Sequence, residues 1–271
     1  MNILRVFPRR TSHTPTDERA FIGDPPLWRP DADEVHISCT FTWDIPEARR
    51  LQVAWGDYYP VARLGGPAFG DPGNGFTPGR YVKSGVVFTS RGCNNRCPWC
   101  LVPPREGRLR LLPITEGHVI NDNNFLQCPA EHRQQVYRML AKQKERATFS
   151  GGLQASLVTD EIAAELRDVR IEAVFLAADT EKALGPLQKA IGRLQFLKRA
   201  RTRCYTLIGF EGESIQQAEA RLKAVWELGA LPFAMLYQPA DHRINWSKDW
   251  RWLQKVWTRP AAMKAEMRVH P

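Results

Sequence analysis

The sequence has no run of about 18 apolar residues, so no membrane-spanning helix and no membrane partner are expected. Its first residues, MNILRVFPRRTSHTPTDERAF, lack an apolar stretch long enough for a signal peptide, which predicts a cytoplasmic protein. Disulfides are then not expected from the six cysteines, because a reducing compartment favours metal or redox use of a tight thiol group. Cys39, Cys128 and Cys204 each stand alone in apolar or strand-like surroundings and are expected to be buried free thiols. What is present suits a folded globule. The chain has 271 residues, 43% of them hydrophobic, enough for one large domain or a main domain with a smaller lobe. A net charge of +9, spread along the chain, favours phosphate-bearing partners such as nucleic acid or nucleotides.

Residues 1–34 mix Pro, Arg, Thr and Asp without periodicity and read as an extended arm. VHISCTFTW (35–43) reads as a strand, and DIPEARRLQVAWG as a helix with Asp44 as its cap and Pro46 in its first turn. A short strand and a Gly/Pro-rich connector follow, so residues 35–80 form a small α/β lobe. From about residue 84 strands and helices alternate. Strands are expected at 85–89, 118–126, 146–152, 172–178, 202–210 and 232–240, with helices between the later ones. Thr159 is expected to cap the helix over 159–169, and Gly229 to close the one after the fifth strand. The resulting fold class is α/β: a partial (β/α)6 barrel of parallel strands, a small N-terminal α/β lobe and a Trp-rich C-terminal helix. The expected divisions are 1–80, 81–241 and 242–271.

In such sheets ligands gather at the carboxyl ends of the strands. The segment TSRGCNNRCPWCLVPP follows the first strand and holds Cys93, Cys97 and Cys100, with no fourth ligand beside them. Structural zinc normally takes four protein ligands, and the nearest further candidates are His118 and Cys128. A four-iron cluster can take three cysteines and leave one iron open. NDNNF ends the second strand, SGGLQ the third, AAD the fourth and GFEGES the fifth.

CNNRCPWC resembles the CxxxCxΦC motif of the radical S-adenosylmethionine family, with Trp99 at the aromatic position, and the resemblance spans roughly residues 84–240. It implies a 4Fe-4S cluster on Cys93, Cys97 and Cys100, whose open iron binds S-adenosylmethionine. It further implies reductive cleavage to a 5′-deoxyadenosyl radical that takes hydrogen from a substrate, and a one-electron donor such as flavodoxin or ferredoxin. By the same resemblance Asp122, Asn123 and Asn124 are candidates for the methionine amino group, although the segment is not the commoner GGE and also reads as an Asn/Asp turn. Gly151, Gly152 and Gln154 approach the cosubstrate, Asp179 is a ribose contact or else a helix cap, and Ile208 and Gly209 border the adenine. The resemblance also makes Trp99, inside the motif, an expected adenine contact, and Tyr237 either a second one or an ordinary core residue. No catalytic side chain beyond the cluster is indicated.

The stretch around HISCTFTWDIPEARRLQ resembles part of the cobalamin-binding lobe of one subclass, in truncated form. It lacks the DxHxxG loop, so cobalamin is not expected, and His36 reads as a packed or hydrogen-bonded strand residue. In the tail, Trp246, Trp250, Leu253 and Trp257 recur at helical spacing. They read as a face docked on the barrel or, interleaved with Lys248, Arg251 and Lys255, as a platform for bases and phosphates. The rival to an enzyme is a zinc- or cluster-stapled nucleic-acid-binding protein without S-adenosylmethionine chemistry.

Overall fold

The computed structural model describes residues 2–70 and 77–269, so part of the expected Gly/Pro-rich connector lies outside the described residues. The chain divides into two compact units, one drawn mainly from the residues up to Val86 and the other mainly from those after it.

The first unit is a four-stranded parallel sheet with one helix. Strands β1 (Ile3–Phe7), β2 (Ala20–Ile22), β3 (Glu34–Ser38) and β4 (Ala62–Gly65) lie in the order β2-β1-β3-β4. Helix α1 (Ile45–Gly56) carries Pro46 in its first turn and buries Ala48, Leu51 and Trp55. These pack with Leu4, Val6, Val35 and Ile37 into one core. The expected extended arm is therefore corrected: its first residues form β1, a central strand. Four apolar residues in the five of ILRVF carried that signal, and Arg5 between them obscured it. Arg5 is accommodated by donating to the carbonyls of Gly79 and Arg80 and by pairing with Asp17. Further along the expected arm, Ala20–Ile22 pair with β1 as strand β2, Trp55 Nε1 donates to the Gly23 carbonyl, and the Tyr59 hydroxyl donates to that of Pro30. His36 is hydrogen-bonded between Glu34 and Tyr81.

The second unit is built on six strands. They are β5 (Val86–Val87), then, after a small two-stranded element formed by β6 (Ser90–Arg91) and β7 (Arg110–Leu111), β8 (Val119–Ile120), β9 (Ala147–Phe149), β10 (Ile171–Ala177), β11 (Thr202–Ile208) and β12 (Leu231–Leu236). A short helix α2 (Val102–Glu106) lies between β6 and β7. The large sheet runs β12-β11-β10-β9-β8-β5, each strand beside its neighbour in the chain. The pairs from β8 to β12 are parallel. Helices α3 (Ala130–Ala141), α4 (Asp160–Arg167), α5 (Leu184–Arg193) and α6 (Ile215–Glu227) connect successive strands.

Local chemistry sets the helix ends. The Thr159 hydroxyl accepts the Ile162 amide, and Asp160 and Glu161 supply negative charge where the helix dipole favours it. Ser214 and Gln217 form a reciprocal capping box on α6. Arg133 of α3 grips Glu165 of α4 through two hydrogen bonds, at 2.9 and 3.0 Å, and donates a third to the Cys128 carbonyl at 2.7 Å. That ties the exit of β8 to the helical layer. Beyond β12, α7 (Lys248–Val256) and α8 (Pro260–Val269) complete the unit, with Leu253, Val256, Trp257 and Met263 packed against Ile208, Ala218 and Leu222.

Candidate functional site

The three clustered cysteines occupy a loop closed at its base by the antiparallel pairs Ser90–Leu111 and Arg91–Arg110. The sequence reading did not anticipate this closure, since two-residue strands leave no periodic pattern. Gly92 makes it possible. Its φ is +81°, and a side chain there would stand 2.2 Å from the Arg108 carbonyl oxygen. The Cys93 amide then donates to Gly107 O at 3.1 Å, and the Cys100 amide to Cys97 O at 3.0 Å.

Cys93, Cys97 and Cys100 are all partly exposed, whereas Cys39, Cys128 and Cys204 are buried. Burial raises the thiols of Cys39 and Cys128 to about 11 and that of Cys204 further, so those three stay neutral. The Cys97 thiol is pushed up by burial and then by the neighbouring Cys100, Asp179 and Cys93. Two N–H groups face the sulfurs: Asn124 Nδ2 lies 3.8 Å from Cys93 Sγ, and the Val102 amide 3.5 Å from Cys100 Sγ. Among the described residues no group of three or more His, Cys, Asp and Glu side chains is arranged to hold a single metal ion.

Asp122 lies two residues past the end of β8 and is 1% exposed. Its Oδ1 accepts the Thr89 amide, and its Oδ2 the hydroxyls of Thr89 and Ser90, at 2.6–2.7 Å. Burial holds its carboxyl above the ordinary carboxylate range, and these donors offset that only in part. Asp122 thus holds the strand that enters the cysteine loop, and its carboxylate faces protein donors. Asn123 does related work, its Oδ1 accepting the Gly92 amide at 2.9 Å.

Asn124 is the residue of the trio that faces the cysteines. It is 5% exposed, donates to Gln154 Oε1 at 2.8 Å, and its own Oδ1 has no hydrogen-bond partner. Gln154 Oε1 also accepts Asn95 Nδ2 and Gln127 Nε2, while Gln127 Oε1 accepts the Asn94 amide. Five amide side chains therefore lie in or against the Cys93–Cys97 segment: Asn94 and Asn95 within it, and Asn124, Gln127 and Gln154 beside it, with Asn94 accepting the Leu109 amide. The sequence reading named two of them. The CNN step between the cysteines was the available signal for two more. Gly151 lets β9 end against β8, since a side chain there would meet Asp122 O at 1.9 Å, and Gly152 follows at φ +112°.

Trp99 reaches the far side of the sheet. Its indole lies near Asp179, whose carboxylate accepts the Leu207 amide at 2.9 Å. Its ring meets Phe210 edge-on at 5.5 Å, and Phe210 meets Tyr237 at 4.9 Å. Cysteine loop, β10 exit, β11 exit and β12 exit are thereby joined. Ile208 is fully buried in the core shared by α6 and α7, so its side chain does not line this rim. Gly209 (φ +79°) is covered by the indole of Trp246, whose ring would lie 2.4 Å from an added side chain and whose Nε1 donates to Tyr237 O at 3.0 Å. The sequence reading placed Trp246 in the tail and missed its role at the rim. A polar cavity of about 520 Å3 opens beside Cys93, lined further by Asn94, Asn95, Arg96, Pro103, Gly107 and Arg108.

No protein-family model matches the sequence, and no curated protein matches it. The functional reading therefore rests on this geometry and on the motif.

Proposed function

We propose that the chain is a radical S-adenosylmethionine enzyme built on a partial (β/α)6 barrel, with Cys93, Cys97 and Cys100 as ligands of a 4Fe-4S cluster. One observation carries the reading. Three partly exposed thiols lie on a closed loop after the first of six strands in chain order, and Trp99 of the same loop spans to the exits of the fourth and fifth.

The residues fit the group. Three partly exposed thiols with no fourth protein ligand in the motif suit a cluster that leaves one iron open. The N–H groups of Asn124 and Val102 beside the sulfurs stabilise cluster-bound thiolates. Held by Cys93, Cys97 and Cys100, such a cluster would supply the single electron for reductive cleavage of S-adenosylmethionine to methionine and a 5′-deoxyadenosyl radical, which would take hydrogen from substrate. Asn124 Oδ1, buried and unpartnered, accepts the cosubstrate's amino group. Asp122 and Asn123 position the loop. Trp99, Phe210 and Tyr237 offer aromatic surface to the adenine, and Trp246 closes the position beside Gly209. The partner this requires is a one-electron donor such as flavodoxin or ferredoxin.

The test is anaerobic reconstitution with iron and sulfide, then dithionite reduction with S-adenosylmethionine. About four irons per chain and 5′-deoxyadenosine are expected, both lost in Cys97→Ala. Zinc in place of iron, with no cleavage product, sinks the proposal in favour of a metal-stapled nucleic-acid-binding protein.

A further inference from the structure

Helix α7 has two unlike faces. Leu253, Val256 and Trp257 are buried against the β12 side of the unit, and Trp250 packs on Trp246 at 5.2 Å. These side chains account for the docking of the helix. Trp252 takes no part in it and is 64% exposed. Around it stand Lys248, Arg251 and Lys255, all exposed. At about 100° per residue the four fall within an arc of roughly 100°. The Lys255 ammonium lies 5.6 Å from the Trp252 ring centre, and Arg251 Nε donates to Ser247 O. None of the three cations is in an ion pair among the described residues.

We propose that this face binds single-stranded nucleic acid, with an unpaired base stacked on Trp252 and backbone phosphates on Lys248, Arg251 and Lys255. An exposed indole set among unpaired cations supplies both parts of sequence-tolerant strand binding, a stacking plane and neutralising charge. From Lys248 to Lys255 the helix rises about 10 Å, the axial length of about three stacked nucleotides. The Lys248 end lies two residues from Trp246, which covers Gly209 at the rim. That the bound strand is also the substrate rests on the radical-enzyme reading; the binding itself does not.

The experiment titrates the full-length reconstituted chain into fluorescein-labelled oligothymidylate and oligouridylate, followed by polarisation over a series of salt concentrations. Three phosphate contacts give a log–log salt slope of about −2. Trp252→Ala weakens binding about tenfold, and Trp252→Phe retains most of it. Lys248→Glu with Lys255→Glu weakens it further and flattens the slope. All four side chains are exposed, so thermal midpoints stay unchanged and lost affinity is not lost fold. A preference between the two oligonucleotides identifies the source as DNA or RNA. The proposal is overturned if Trp252→Ala and the double charge reversal bind as the parent does. It is overturned equally if polyglutamate binds as tightly as the oligonucleotides, which assigns the face to an acidic protein. Failure here with 5′-deoxyadenosine still formed leaves the enzyme reading intact.

Discussion

Asp122 and Thr89 are joined twice: the aspartate accepts the threonine amide at 2.7 Å and its hydroxyl at 2.6 Å, in a site from which water is excluded. The exit of β8 thus fixes the backbone just before the cysteine loop. Asp122→Ala leaves the Thr89 amide and two hydroxyls without their acceptor, at about 1–3 kcal/mol for each donor left unsatisfied. The expected loss, on the order of 3 kcal/mol, is read from the urea midpoint of the chain. An unchanged midpoint refutes the structural role.

Adjacent glycines separate close approach from backbone conformation. Gly152 has φ +112° but open space around it, while Gly151 abuts the Asp122 carbonyl at 1.9 Å. Gly152→Ala should cost about 1–2 kcal/mol, and Gly151→Ala about 3 kcal/mol or more because backbone must move. The reverse order in paired denaturation curves contradicts the geometry.

Thiol chemistry sorts the cysteines. In the native metal-free chain a disulfide reagent at neutral pH should reach the partly exposed Cys93, Cys97 and Cys100, with Cys97 slowed by its raised thiol, while Cys39, Cys128 and Cys204 react only after denaturation. Peptide mapping by mass spectrometry reads the difference. Rapid labelling of Cys204 would show that the β11 core is not closed as described.

The Tyr205 hydroxyl donates to Ser150 O at 2.8 Å, and burial raises it to about 12. The folded phenol keeps its proton up to that pH, whereas an unfolded one loses it near 10. The resulting stabilisation is complete below pH 10 and lost as pH rises through 12, by about 3 kcal/mol at most. Tyr205→Phe should flatten the alkaline limb of the stability profile. An unaltered limb assigns it to other groups.

Trp246 and Trp252 are six residues apart and differ in kind. Trp246→Ala uncovers Gly209 and removes the bond to Tyr237 O, so a loss of about 3 kcal/mol is expected. Trp252→Ala should change stability by less than about 0.5 kcal/mol. Equal losses in thermal unfolding would contradict the two-faced helix.

The order of strands, the capping of α4, and the position of the cysteine motif after the first strand of the large sheet were all legible in the sequence. Each depends on residues near one another in the chain: alternating apolar runs, a Thr before a helix, three thiols within eight residues. β1 was not read, since a polar Arg5 inside a short apolar run is explained only by distant carbonyls that receive it. Tertiary structure alone decided which rim residues face the cysteines. Asp122 turns to Thr89, Asn124 to Cys93, and Ile208 to the α6 core, choices set by packing partners from about 10 to more than 30 residues away in the chain. Sequence determines which chemical groups arrive at a strand end; which of them stays free depends on the neighbours that satisfy the others first, because a buried polar group takes whatever partner the fold brings to it.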